Sequence, residues 1–91
     1  MQIRYFANYR TITGRRTEEV AAPATILELL QQLSTRYGAE LRSWLLSADC
    51  TEKGDNAVIL VNGRHIEHLD GVNTQLKDDD VVSLFPLVAG G

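Results

Sequence analysis

The chain has 91 residues, 44% of them hydrophobic, and this length and composition suit one small domain. Its formal net charge is −3 at pH 7, which argues against a nucleic-acid-binding protein because such proteins carry basic patches. The N-terminus lacks the pattern of a signal peptide, and no apolar run is long enough to cross a bilayer. Because the single cysteine, Cys50, cannot form an internal disulfide, we expect a reducing, cytoplasmic location and no membrane partner.

The first residues predict a β-strand followed by a turn. Along residues 2–7, Ile3 and Tyr5 fall on one face, whereas Phe6 falls on the opposite face. Residues 8–14 end in a glycine and predict a turn. Phe6 is thereby separated from the main apolar set of its strand.

A second, more exposed strand is predicted over residues 15–20. It carries Glu18 and Glu19 side by side, and charges of this kind are typical of a strand at the edge of a sheet, where they discourage pairing with other molecules. We therefore expect it to form a hairpin with the first strand and to lie at an edge.

The strongest helix signal begins at Thr25. Thr25 and Glu28 form the pattern of a capping box ahead of an apolar run, and Gly38 stands where a C-terminal glycine cap belongs. Five residues at helical spacing form one apolar stripe: Ile26, Leu29, Leu30, Leu33 and Tyr37. This stripe predicts a helix packed on the core, not a ligand site.

Residues 39–46 predict a shorter second helix, and residues 47–56 a polar loop. The continuous apolar run 57–61 is typical of a strand in the interior of a sheet. Asn62-Gly63, which follows directly, is a strong signal for a tight hairpin turn.

The last part of the chain predicts a brief strand within 64–69, an acidic loop over 70–80 with Leu76 turned inward, and a final strand over 81–85. The first, third and last strands are the most hydrophobic and should be internal. One long helix with few strands predicts an α+β fold of two layers, a mixed sheet of four to five strands with the main helix packed across it.

The C-terminal segment is the most informative stretch. Pro86 cannot donate to a sheet ladder and should mark where the final strand gives way to a tail. Leu87 and Val88 keep apolar side chains on a segment expected to be exposed. Gly90 and Gly91 lack a Cβ and can enter a narrow slot. We interpret the segment as an acyl arm with a free Gly91 carboxylate; the alternative is an ordinary frayed end.

This order of elements, with its tail, resembles the ubiquitin-like β-grasp sulfur carriers of the MoaD/ThiS type, and especially the small subunit of molybdopterin synthase. The matching segments are Tyr5-Phe6-Ala7, Val61-Asn62-Gly63, Leu76-Lys77-Asp78-Asp79-Asp80 and Phe85-Pro86-Leu87-Val88-Ala89-Gly90-Gly91. The resemblance covers the whole chain and implies a β-grasp domain over residues 1–86 with a flexible di-glycine tail over 87–91.

The resemblance also implies a mechanism in which this chain is a co-substrate without a bound cofactor or metal. An E1-like adenylating enzyme of the MoeB/ThiF type would use ATP to activate Gly91, and a persulfide donor would supply sulfur to give a thiocarboxylate. A molybdopterin synthase large subunit of the MoaE type would then receive the sulfur. Gly90 would keep the tail accessible, and the implied partner-binding residues are Phe6, Phe85, Pro86, Leu87, Val88 and Ala89.

Two positions depart from the family pattern. Leu87 stands where the family often has a second proline, which loosens the tail. Asp79 stands where the turn before the last strand usually has a glycine; aspartate tolerates left-handed backbone angles better than most residues.

Several alternatives stay open from the residues alone. The chain could be a sulfur carrier for thiamine, cysteine or another thiolated metabolite, a protein modifier joined through its C-terminus to lysines such as Lys53 or Lys77, or a plain interaction module. Cys50 fits an incidental loop thiol better than a persulfide relay. His65 and His68 lack further ligands at zinc-site spacing. The acidic run at 78–80 is either a solvated turn or a docking patch for a basic surface.

Overall fold

A computed structural model describes residues 1–87 of the chain. The elements are β1 (Gln2–Tyr5), α1 (Asn8–Thr13), β2 (Thr17–Glu19), α2 (Ile26–Tyr37), α3 (Ala39–Leu45), β3 (Ala57–Val61), β4 (Arg64–His65) and β5 (Val81–Pro86). Two short 3₁₀ turns, Ile66–His68 and Gly71–Asn73, lie between β4 and β5. In this part of the chain, no helix has both the length and the apolar character that crossing a membrane requires.

The five strands form one mixed sheet in the order β2-β1-β5-β3-β4. β1 runs parallel to β5, and the other neighbouring pairs are antiparallel. The expectations that the first, third and last strands are internal and that the second is an edge strand are confirmed. The last strand occupies the middle of the sheet, so the chain leaves the domain from its central strand.

Helix α2 begins and ends at the predicted residues. The Thr25 hydroxyl accepts a hydrogen bond from the Glu28 backbone N–H at 3.3 Å. The Glu28 carboxylate accepts from the N–H of Ala24, one residue before the cap, at 2.9 Å. At the other end, Gly38 has φ 97°, a value that favours glycine, and donates to Ser34 O at 2.9 Å.

The core lies between α2, α3 and one face of the sheet. Four residues of the predicted stripe are at most 1% exposed: Ile26, Leu29, Leu30 and Leu33. They meet the buried sheet residues Ile3, Tyr5, Ile59, Val82 and Leu84. Burial of each large aliphatic side chain stabilises the fold by about 1.5–3 kcal/mol. Because the helices pack on one face of the sheet, the expected α+β arrangement of two layers is confirmed.

The predicted turn at residues 8–14 is a short helix, α1, and that expectation was wrong. Strand β1 stops at Tyr5, and Ala7 turns the chain with φ 54°. Tyr9 on α1 is fully buried and packs edge-to-face on Trp44, with ring centroids 5.7 Å apart. This long-range contact stabilises a helix that is too short to form by local propensity, and burial raises the pKa of Tyr9 to about 12.

Glu18 lies on the core side of the edge strand and is not one of its solvent-facing charges. Its side chain is 9% exposed and pairs with the Arg36 guanidinium. The Tyr5 and Tyr37 hydroxyls both donate to Glu18 Oε1 at 2.7 Å. Glu18 therefore joins β2 to the C-terminal turn of α2, and Glu19 alone presents its charge to solvent.

The turns between the last strands also differ in part from expectation. Asn62 and Gly63 have φ 53° and 82°, as the predicted tight hairpin requires. The brief strand that follows covers two residues only. Asp79 has no positive φ, so the turn before β5 requires no glycine there.

Candidate functional site

The root of the C-terminal segment is held on both sides by the sheet. Pro86 pairs with Ala57 at the end of β5, so the strand continues one residue further than predicted. Pro86 has no N–H, and the ladder resumes at Leu87, whose N–H donates to Asn56 O at 2.7 Å. On the other side, Phe6 N–H donates to Leu84 O at 3.1 Å. The direction in which the chain leaves the sheet is thereby fixed.

Leu87 is the last described residue, and 56% of its surface is exposed. Its predicted role as a partner contact is compatible with this exposure, because an exposed large aliphatic side chain is available to another protein. The predicted site residues Val88, Ala89, Gly90 and Gly91 lie outside the described residues.

Phe6 and Phe85 meet beside this root. Their rings stack with centroids 4.1 Å apart and an interplanar angle of 12°, and both residues are half-buried. The guanidinium carbon of Arg10 lies 5.3 Å from the centroid of the Phe6 ring, within the range of a cation–π contact. Arg10 Nε also donates to Tyr5 O at 2.9 Å.

Arg10 was missed by the sequence analysis. It reaches Phe6 because α1 turns the chain back toward the end of β1, whereas residues 8–14 were expected to be a simple turn. The aromatic pairing itself follows from the parallel register of β1 and β5, which places Phe6 and Phe85 next to each other on the same face.

The sheet face opposite the two long helices, which we call the open face, carries a patch of half-buried apolar side chains. Register and alternation place five of them there: Phe6, Val58, Leu60, Val81 and Phe85. Neighbouring apolar side chains that the domain does not fully cover are candidates for contact with another protein. The patch adjoins the root of the tail.

Arg4 and Arg10 lie beside this patch. The first seventeen residues contain four arginines, Arg4, Arg10, Arg15 and Arg16, and no acidic residue. Arg4 is exposed on the open face, and the backbone of Arg16 pairs with that of Tyr5. An apolar patch beside arginines fits a partner surface that is apolar with an acidic rim.

The two histidines and the cysteine are the remaining candidate residues. Within residues 1–87, no group of three or more His, Cys, Asp or Glu side chains could hold a metal ion. The His65 and His68 rings lie 6.2 Å apart, and His65 Nδ1 accepts the Glu67 N–H. Cys50 is a partly buried free thiol.

The acidic run before β5 is not a uniformly solvated turn. Asp80 is 9% exposed, and its carboxylate accepts hydrogen bonds from Asn62 Nδ2 and from Lys77 N–H, both at 2.8 Å. Asp78 accepts from Ala22 N–H at 3.1 Å. Two of the three aspartates thus stabilise the turn.

Two known proteins are similar in sequence to this chain. The chain is 35% identical over 96 residues to small archaeal modifier protein 3 of Haloferax volcanii, covering 100% of this chain and 98% of that protein. It is 33% identical over 90 residues to the molybdopterin synthase sulfur carrier subunit of Emericella nidulans, covering 99% and 96%.

Among solved structures, a chain of the Amycolatopsis orientalis BexX/CysO complex superposes with a TM-score of 0.81 at 25% identity, covering 99% of this chain and 98% of that chain. The expected β-grasp fold is therefore confirmed. The model of the ThiS family matches residues 3–91, and the chain belongs to this family of ubiquitin-like sulfur carriers and modifiers.

Proposed function

We propose that this chain is a sulfur carrier whose Gly91 is adenylated, converted to a thiocarboxylate and used as the sulfur donor of a molybdopterin synthase, in which the chain is the small subunit. Membership of the ThiS family supports the carrier role. The relative that is a molybdopterin synthase sulfur carrier subunit, with nearly full mutual coverage, supports the choice of pathway.

The observation that carries the proposal is the way the tail root is held. The Leu87–Asn56 hydrogen bond at 2.7 Å fixes the exit from the central strand. The four residues that follow can span at most about 13 Å when extended, at about 3.3 Å per residue. A tail of this length and small side chains suits insertion into the active site of another protein, while the domain docks outside.

The chemistry requires an activating partner. A carboxylate becomes a good acyl donor only when its oxygen is part of a good leaving group, and adenylation by an ATP-using enzyme of the MoeB/ThiF type would supply that group. A persulfide sulfur would then attack the Gly91 carbonyl carbon and displace AMP, which gives an acyl disulfide with the donor. A second thiol would cleave the S–S bond of that acyl disulfide, release the Gly91 thiocarboxylate and itself become part of a disulfide with the donor. The absence of side chains on Gly90 and Gly91 leaves that carbon open to approach.

The open face is the surface on which we expect the activating enzyme and the synthase large subunit to dock. The Phe6–Phe85 stack is half-buried beside the root, and aromatic anchors of this kind often dominate binding energy. Because both partners would need the same tail and the same face, they should bind in turn and exclude each other.

A second candidate, a protein modifier joined to lysines through Gly91, is favoured by the 35% identity to a small archaeal modifier protein. Both functions begin with the same adenylate and differ in the nucleophile that follows, sulfur or an amine. The two candidates are therefore distinguished by the product that forms at Gly91, a thiocarboxylate or an amide bond to a lysine, and not by the activation step.

The experiment is reconstitution with a purified large subunit of the MoaE type. The proposal predicts a stable complex and sulfur transfer from the thiocarboxylate form of the chain, with no transfer from the carboxylate form. If the thiocarboxylate form of the chain is made normally but neither binds this subunit nor transfers sulfur on it, the molybdopterin assignment is contradicted. The sulfur would then be used in another pathway.

A further inference from the structure

The structure distinguishes the primary amines of the chain, which are the Met1 α-amine and the side chains of Lys53 and Lys77. The Met1 ammonium donates to Val20 O at 2.9 Å and lies 3.9 Å from the Glu19 carboxylate. Met1 is 6% exposed. An amine in this position cannot approach an acyl group on another molecule without opening the β1–β2 edge.

Lys53 is also engaged. It is half-buried, and its Nζ donates to Gly54 O at 2.9 Å. Its backbone is held in a bridge with Leu46. The amine of Lys53 would have to leave a hydrogen bond and a partly desolvated position before it could react.

Lys77 differs from both. It is exposed, and within residues 1–87 its Nζ makes neither a hydrogen bond nor an ion pair. Its backbone is nevertheless fixed, because its N–H donates to Asp80 Oδ2 at 2.8 Å and its carbonyl accepts from Asp80 N–H at 3.1 Å. A free amine on an ordered backbone is well placed to act as a nucleophile.

Lys77 also borders a surface cleft of about 500 Å³. Leu69 and the edge of the buried Val61 supply apolar lining, and Arg64 supplies a cation. The Asp80 carboxylate also lines the cleft, with its two oxygens already hydrogen-bonded to Asn62 and to the Lys77 N–H. An acyl segment with the sequence Val-Ala-Gly-Gly is small and apolar enough to lie in such a cleft. The phosphate of an acyl-adenylate at its end would have a counter-ion in Arg64.

The chain cannot readily reach its own Lys77. Lys77 precedes the start of β5, whereas the tail leaves at the opposite end of that strand, and the path from residue 81 to residue 87 spans about 20 Å at ~3.3 Å per residue. The four residues after Leu87 can span at most about 13 Å and would also have to reverse their direction. We therefore expect the tail that meets Lys77 to come from a second copy.

We propose that Lys77 is the acceptor through which one copy of this chain is joined to the Gly91 carboxyl group of a second copy. The proposal rests on the adenylation of Gly91 proposed above. Lys77 Nζ, as the neutral amine, attacks the Gly91 carbonyl carbon of the acyl-adenylate. A C–N bond forms, the bond to the phosphate oxygen breaks, AMP leaves with the electron pair, and one proton is released to water.

The test compares the wild-type chain with Lys77→Arg and with the matched control Lys53→Arg. Each is produced without a tag, which would add another amine, in cells that contain the activating enzyme. Denaturing gels measure the covalent dimer, and intact mass measures the Gly91 thiocarboxylate independently. We expect the dimer to be lost in Lys77→Arg and unchanged in Lys53→Arg, with thiocarboxylate present in all three.

Tryptic peptides locate the bond. A link at Lys77 gives residues 65–91 carrying residues 78–91 as a branch, whereas a link at Lys53 gives residues 43–64 with the same branch. Two outcomes would overturn the Lys77 assignment while leaving the proposed function intact. One is a wild-type chain that carries the thiocarboxylate but forms no dimer, and the other is a dimer whose branch lies on residues 43–64 or 1–4. Loss of both thiocarboxylate and dimer from the wild-type chain would overturn the two together.

Discussion

The rings of Phe6 and Phe85 lie parallel to within 12°, with centroids 4.1 Å apart, at the point where the last strand gives way to the tail. The pair joins the end of β1 to the end of β5 on the open face. Its exposed surface is adjacent to the segment that a partner enzyme must grip, so one partner can hold the domain and the tail together.

Truncation of Phe85 should weaken partner binding and also lower folding stability. We expect Phe85→Ala to reduce affinity for the activating enzyme by about thirtyfold, as for an aromatic anchor worth ~2 kcal/mol. The loss of the stacking contact should cost about 0.5–1.5 kcal/mol of folding stability, in addition to the lost burial of a half-buried ring. Titration calorimetry and urea unfolding measure the two effects.

The control for this variant is Leu27→Ala, which removes another half-buried apolar side chain, on α2 and away from the open face. It should lower stability with little change in affinity. If Phe85→Ala binds as tightly as the wild-type chain, the open face is not the docking surface.

The Glu18 carboxylate should make the fold sensitive to acid. Partial burial raises the pKa of Glu18, but hydrogen bonds from Tyr37 and Tyr5 and the charges of Arg36 and Arg15 outweigh it, so the pKa is lowered overall. A carboxyl group with a lowered pKa in the folded state stabilises the fold above its unfolded pKa, about 4.3. This contribution is lost as pH falls through the lower folded value.

We therefore expect Glu18→Gln to lower the free energy of unfolding by about 1–3 kcal/mol at neutral pH, as for a lost charged hydrogen bond. The difference from the wild-type chain should shrink in acid, where Glu18 is itself protonated. Urea unfolding at pH 7 and at several acidic pH values measures this. Glu19→Gln, which changes an exposed neighbour, should show a much smaller effect; equal effects of the two variants would contradict the account.

A side chain at position 54 should destabilise the fold. A Cβ at this position would lie 2.3 Å from the Trp44 carbonyl oxygen, and backbone cannot move aside as a flexible side chain can. Gly54→Ala should cost about 1–3 kcal/mol through overpacking. Thermal unfolding followed by circular dichroism tests this, and an unchanged melting temperature would show that the loop after α3 shifts freely.

The elements that are specified locally were predictable from the sequence. The Thr25–Glu28 cap, the apolar stripe of α2 and the Asn62-Gly63 turn are each encoded within a few residues. Alternation along the first strand also placed Phe6 on the face opposite the main apolar set, where the structure has it.

The remaining features depend on contacts between distant parts of the chain. Helix α1 forms because Tyr9 is buried against Trp44, and Arg10 reaches Phe6 only because that helix forms. Glu18 is drawn inward by Tyr5, Tyr37 and Arg36. No local pattern contains these pairings, so the sequence could predict the strand face of Phe6 but not its cationic neighbour.

The central claim is that Gly91 carries sulfur. The most direct measurement is intact mass of the wild-type chain and of Gly91→Leu after incubation with a ThiF-type activating enzyme, ATP, a persulfide donor and a thiol reductant. The account predicts that the wild-type chain gains the mass of one exchange of oxygen for sulfur, which fragmentation places at Gly91, and that Gly91→Leu gains none while its circular dichroism spectrum is unchanged. A wild-type chain that stays a carboxylate with an active enzyme, or a Gly91→Leu variant that takes up sulfur normally, would contradict it.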